Sequence, residues 1–131
     1  MDELHNALAD AKPGDRIIIA PGTYQNDEWK GKWAAFFSEA SGTADQPITI
    51  CSADPENPAV LCGVSQENKV ALHIIGEYWH IEDIVTCEAQ KGIVLDKGSH
   101  STITGCEVYN IGCEGIHLRD NSSYCLVENC N

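Results

Sequence analysis

Apolar positions along the chain recur in short alternating runs rather than in helical stripes. Four such runs align: Ile48-Thr49-Ile50, Val70-Ala71-Leu72, Ile93-Val94-Leu95 and Ile116-His117-Leu118. They recur at a nearly constant step of roughly 22 residues, within the range of structural repeats. A second column runs through Leu61-Cys62-Gly63-Val64, Ile81-Glu82-Asp83-Ile84, Ile103-Thr104-Gly105-Cys106 and Val127-Glu128-Asn129-Cys130, at a similar but less even step. Inward-outward alternation over three to five positions marks strands, and two columns at one period mean one structural unit repeated. The third place of the second column holds Gly63, Asp83, Gly105 and Asn129. These residue types accept positive φ most readily, so a left-handed turn is predicted in each unit. Strands that stack like on like, with stacked turns, describe a solenoid rising about 4.8 Å per coil. The predicted fold is all-β, a parallel β-helix of about five coils.

The first residues follow a different rule. Asp2 can cap a short helix with Leu4, Ala7, Leu8 and Ala11 on one face, and Pro13-Gly14 ends it. Residues 1–14 are therefore read as a helical cap, because an open coil exposes apolar core and strand edge. Residues 15–131 are read as coils of the same single domain. The last predicted coil has no polar closing segment before Asn131. Either the chain is cut from a longer protein, or this end is covered by another molecule, such as a second copy stacked through residues 116–131 in a homodimer.

Composition narrows the function. Eight basic against 20 acidic residues give a net charge of −12, with only two arginines, which excludes a nucleic-acid partner. No apolar run approaches the roughly 18 residues of a membrane span, and no signal-peptide pattern opens the chain. Seven cysteines without zinc-type spacing point to a secreted protein with disulfides and at least one odd thiol. Cys51 and Cys62 flank the loop Ser52 to Leu61 and are the expected disulfide. Cys106 and Cys130 share one column, where either a bond or packed thiols fit. The triplet Asn121-Ser122-Ser123 is a glycosylation sequon in a predicted turn.

The run Ala7-Leu8 through Lys12-Pro13-Gly14-Asp15, then Ile17-Ile18-Ile19-Ala20-Pro21-Gly22-Thr23-Tyr24, resembles the opening of the pectin-lyase-like right-handed β-helix proteins. So do Ser41-Gly42-Thr43-Ala44-Asp45-Gln46-Pro47-Ile48-Thr49-Ile50 and Gly76-Glu77-Tyr78-Trp79-His80-Ile81. The similarity is to polysaccharide lyases of the alginate lyase, chondroitinase B and pectate lyase kinds, and it implies the right hand of the coil. In that family acidic residues bind calcium, the metal neutralises a uronate carboxylate, and a Lys or Arg removes the adjacent proton so that β-elimination follows. The resemblance places most of that machinery on coils further along. Where the pectate lyases often carry an Asp, this chain has Cys113, and a thiol is a poor ligand for so hard a cation. No metal ligand set and no cofactor is assigned to these residues, and calcium is expected only in the full-length protein.

Candidate binding residues come from the first column. The position after each strand reads Cys51, His73, Asp96 and Arg119, one per coil on an expected outer line. Such a line can bind a sugar acid, with Arg119 gripping the carboxylate and His73 as base, or be an ordinary ladder of surface charges. His117 is a further outward candidate. Trp29 and Trp33 offer indole faces for stacking on sugar rings, or pack their loop against the first coil. Trp79 is read as structural. A second outward line, Cys62, Glu82, Thr104 and Glu128 with Asp83 beside it, spaces its glutamates two coils apart, too far to share one ion. The expected function is the N-terminal portion of a secreted lyase acting on acidic polysaccharide by calcium-assisted β-elimination, inactive by itself. The competing expectation is a non-catalytic β-helix that binds carbohydrate or self-associates through its C-terminal end.

Overall fold

The computed structural model describes residues 2–25, 34–63, 70–119 and 126–128. Among these residues one helix, α1 (Asp2–Ala9), precedes eleven strands. The first coil holds β1 (Arg16–Ile19), β2 (Gly22–Gln25) and β3 (Ala34–Ser38), and the second holds β4 (Ile48–Ser52), β5 (Ala59–Cys62) and β6 (Val70–Ile75). The third holds β7 (Trp79–Glu82) and the long β8 (Val85–Asp96), and the fourth holds β9 (Thr102–Thr104) and β10 (Glu107–Arg119). β11 (Leu126–Glu128) opens a fifth. Every strand pairing is parallel, in two sheets ordered β1-β4-β7-β9-β11 and β2-β5-β8-β6-β3, with β10 on β8. β8 pairs β5 through its first half and β6 through its second, so the second sheet bends into two faces and the coil has three sides.

Each inward row is a stack of like residues. Ile17, Ile50, Ile81 and Ile103 stand in register on the first face, and Phe36, Leu72, Ile93 and Ile116 on the third. They belong to one continuous core in which most of these side chains are fully buried. Burial of this kind is worth about 25 cal/mol per Å² of apolar surface.

Two features of the expected columns are corrected. Residues 48–50 lie on the first face with Ile17 and Ile81, so they belong with the second column, whereas Leu61 lies on the second face and belongs to neither column. The spacing explains why: the stretches from Ile17 to Ile50 and from Ile50 to Ile81 are each nearly half as long again as that from Ile81 to Ile103. Longer connections in the first two coils slide a fixed period onto the wrong face. In addition, Ile93 is in register with Leu72 rather than Val70, a slip of two positions. A slip by two preserves which residues point inward, so hydrophobic alternation cannot detect it.

The turns are closed by polar groups. Asp83 and Gly105 have φ of 57° and 66°, as the turn column predicts, while Asn129 lies outside the described residues. Gly63 does not share that conformation. Its need for glycine is close approach, since a Cβ there would meet the Glu88 carbonyl oxygen at 2.7 Å. The Ser52 hydroxyl donates to the Asp83 carbonyl (2.6 Å) and accepts from the Ala59 N–H (2.8 Å). Trp79 is buried and structural, its Nε1–H donating to the Ala40 carbonyl at 2.8 Å. At the N-terminal end α1 covers the first coil: Leu8 enters the core, the His5 ring stacks on Phe36 (centroids 5.0 Å), and the buried Ser38 hydroxyl donates to the Leu8 carbonyl at 2.5 Å. That bond satisfies a carbonyl that the end of a helix leaves without a partner.

The disulfide differs from expectation. It joins Cys62 to Cys87, whose Cα atoms lie 4.7 Å apart in direct register on adjacent coils. Cys51 is a buried free thiol on another face, 3.7 Å from Arg16 Nη2. Residues at the two ends of one coil's loop sit on different faces, whereas stacked coils bring Cα atoms within the distance a disulfide spans. Cys106 is a buried thiol near the Ile81 and Thr104 carbonyls, and Cys130 lies outside the described residues.

Two outcomes are expected. Replacing Cys62 and Cys87 together by Ser releases a crosslink between positions 25 apart in sequence and should cost about 3–4 kcal/mol in denaturant unfolding. Thr86 points inward, fully buried, with no hydrogen-bond partner for Oγ1 among the described residues. Thr86→Val should therefore raise stability by about 1 kcal/mol, read as a higher unfolding midpoint at unchanged slope.

Candidate functional site

The outer surface of the third face is formed by β3, β6, the second half of β8 and the end of β10. Inward residues Leu72, Ile74, Ile93 and Leu95 leave the alternate positions Phe37, His73, Ile75, Val94 and Asp96 on the outside. This outer side is nonetheless closely packed. Phe37, Val94, Ala34, Val70 and Ile75 form a second apolar cluster, and the Phe37 ring meets His73 edge-on at 5.5 Å.

Within it, His73 Nε2 lies 2.6 Å from Asp96 Oδ2. The two residues are only 7% and 5% exposed, so the expected exposed ladder is replaced by a buried pair. The order along the face is also corrected. His73 is in register with Phe37 and Val94, while Asp96 is in register with Ile75 and Arg119. Cys51 stands on the first face and has no place in the line. The pair forms diagonally between coils because of the offset by two positions. An ionised carboxylate this close to an imidazole accepts a charge-assisted hydrogen bond from the ring N–H, and protonation of the ring adds an ion pair.

Arg119 follows Asp96 one coil along, about 4.8 Å away in backbone position, and His117 follows Val94. The side chains of both lie outside the described residues, as do Trp29 and Trp33 altogether. The face is thus a histidine, a carboxylate and an arginine position on three successive coils, with one apolar wall.

A neighbouring element was not among the expected sites. Where the turns leave the third face, the Tyr78 and His100 rings stack with centroids 4.9 Å apart and planes within 7°, both residues in the left-handed region. Their separation in sequence equals the Ile81 to Ile103 step, so a third column at the coil period would have revealed them. Gly76 in the same turn admits no side chain, because a Cβ would run into the Ala40 carbonyl.

The outward line on the first face reads Ile18, Cys51, Glu82 and Thr104, with Cys51 in the place expected for Cys62 and Glu128 next in backbone register. Among the described residues no three His, Cys, Asp or Glu side chains gather as a metal site.

Three-sided parallel coils under an N-terminal helix, together with the matching family model, define a right-handed β-helix of the pectin-lyase-like, polysaccharide lyase class. Within that class the chain belongs to the Pel9A-like right-handed β-helix family, whose model matches residues 1–131. It is similar to pectate lyase L of Dickeya chrysanthemi, 25% identical over 127 residues that make up 94% of this chain and 30% of the relative. The corresponding enzyme of Dickeya dadantii (strain 3937) is 24% identical over the same shares. Among solved structures, alginate lyase from Paenibacillus sp. str. FPU-7 superposes with a TM-score of 0.88 at 45% identity, over 97% of this chain and 40% of that one. The PL6 family alginate lyase AlyGC superposes with a TM-score of 0.58 at 28% identity, over 79% of this chain and 14% of that one. The chain thus spans about a third of the length of the curated relatives it matches, and the scaffold is polysaccharide lyase-like.

The buried pair has a testable signature. Asp96→Ala removes the buried carboxylate that His73 Nε2 meets and should cost about 3 kcal/mol. Combined with His73→Phe, it should cost less than the two single changes added together, as a double-mutant cycle in urea would read.

Proposed function

We propose that these residues form the N-terminal coils of an exported polysaccharide lyase that cleaves an acidic, uronate-containing polysaccharide by calcium-assisted β-elimination. The observation that carries this reading is the 45% identity, over 97% of the chain, with a protein that is itself an alginate lyase. The partial coverage of that protein and of the pectate lyases supports assigning the elimination step to coils beyond these.

In this reading the third face is the end of the substrate-binding surface. Arg119 and His117 continue it toward the following coils, and Arg119 meets a sugar carboxylate. The His73–Asp96 pair, buried as it is, holds the second and third coils in register so that the Arg119 position is fixed. A net charge of −12 repels a polyanion, so association needs a bridging cation or a locally basic groove. The Cys62–Cys87 disulfide supports export, because such bonds persist in oxidising compartments.

The test is release of unsaturated uronate, followed by ultraviolet absorbance, from alginate, pectate and chondroitin with and without calcium. A protein continuing these coils should produce it on one of the three and lose it with a chelator, while this chain alone should produce none. No product from any polymer would overturn the reading.

A further inference from the structure

At the N-terminal end the helix closes only part of the coil opening. His5 and Leu8 of α1 seal the side over β3. Beside β1 the surface falls into a groove of about 860 Å³, walled by Leu4 and Ala7 of the helix and by Ile17, Ile19 and Tyr24 of the coil. Its rim carries Glu3, Asp10 and Asp15 against a single cation, Arg16.

β1 is the terminal strand of its sheet. β4 pairs one edge, and no strand pairs the other among the described residues. Two bonds fix which backbone groups face where: the Thr49 N–H donates to the Asp15 carbonyl (3.0 Å) and the Ala53 N–H to the Ile19 carbonyl (2.8 Å). Successive residues of a strand direct their N–H and C=O to opposite edges. Asp15, Ile17 and Ile19 therefore serve β4, and Arg16 and Ile18 turn their N–H and C=O toward the groove. Ile18 is also 57% exposed, the most exposed large apolar side chain among the described residues.

We propose that this groove receives an extended peptide segment of a partner protein, in which basic and apolar residues alternate, added to β1 as a further parallel or antiparallel strand. Only an extended backbone repeats donors and acceptors at the spacing of Arg16 and Ile18, since a helix has already used its own. Alternation sends every second side chain toward the apolar wall of Leu4, Ala7, Ile17 and Ile19, and the others toward the rim. Three carboxylates against one guanidinium select lysine or arginine for those outer positions. A second copy of this chain, itself at −12, is disfavoured by the same charges. The site lies at the opposite end from Arg119 and stands or falls independently of the lyase reading.

The experiment uses the isotope-labelled chain and the end-capped hexapeptide KVKVKV. With saturating peptide the Arg16 and Ile18 amides should exchange about tenfold more slowly or better, while those of Ile17 and Ile19, already in the β4 ladder, stay unchanged. Ile18→Pro removes an edge donor without breaking that ladder, a place where proline is tolerated, and should weaken binding about tenfold. Glu3→Gln with Asp10→Asn should weaken it a few-fold, and more so at low salt than at high. If Ile18→Pro fails to fold, a peptide with proline at its centre gives the same reading on the native chain. Equal binding of EVEVEV, equal binding of the proline peptide, or no slowing at Arg16 and Ile18 would each overturn the proposal. So would concentration-dependent dimers of the chain alone with the same two amides protected, which would give the groove to a second copy.

Discussion

Parallel stacking at one coil per step is the constraint on which the rest depends. Because each strand lies directly over its counterpart in the next coil, every inward residue packs on a residue of the same row, and every outward residue is a strand spacing from its neighbours. The isoleucine row of the first face and the Phe36–Leu72–Ile93–Ile116 row of the third satisfy this with side chains of nearly one size. The same geometry places Cys62 on Cys87 and brings His73 to Asp96. It also accounts for the glycines at 63 and 76, where one coil's backbone presses on the next and no Cβ fits.

A solenoid built this way is weakest at its ends, where a row has a neighbour on one side only. The chain treats its N-terminal end unevenly. Over β3 the helix supplies an apolar side chain, a ring stack and a carbonyl anchored by Ser38. Over β1 its contact is slighter, and the edge of the first sheet borders a groove with acidic margins. The contrast between a sealed and an open stretch of one rim is what separates the structural work of α1 from a surface available to a partner.

The outer third face shows how burial changes the meaning of a residue type. Histidine and aspartate on a surface line would be a weak, screened pair. Enclosed by Phe37, Val94 and Ile75, the same two groups become a costly arrangement to break and a device for holding coils in register. Arg119 stands one coil further along the same face, in register with Asp96.

Hydrophobic alternation and its regular recurrence along the chain were enough to identify a parallel β-helix under a helical cap, and Asp83 and Gly105 marked the turns correctly. The residues His73, Asp96 and Arg119 were legible as a group because they follow apolar runs at nearly the coil period. Their order was not legible. Misplacement of the first column members came from connection lengths, since the two long coils before Ile81 give way to shorter ones and a sequence carries no marker of which face a strand joins. The offset by two positions between β6 and β8 was invisible for a different reason: it leaves every side chain on the side that polarity demands. Only the hydrogen-bonded register of the folded coils could decide that His73 meets Asp96 diagonally, that Cys62 rather than Cys51 meets a second sulfur, and that both ends of the pair are withdrawn from water.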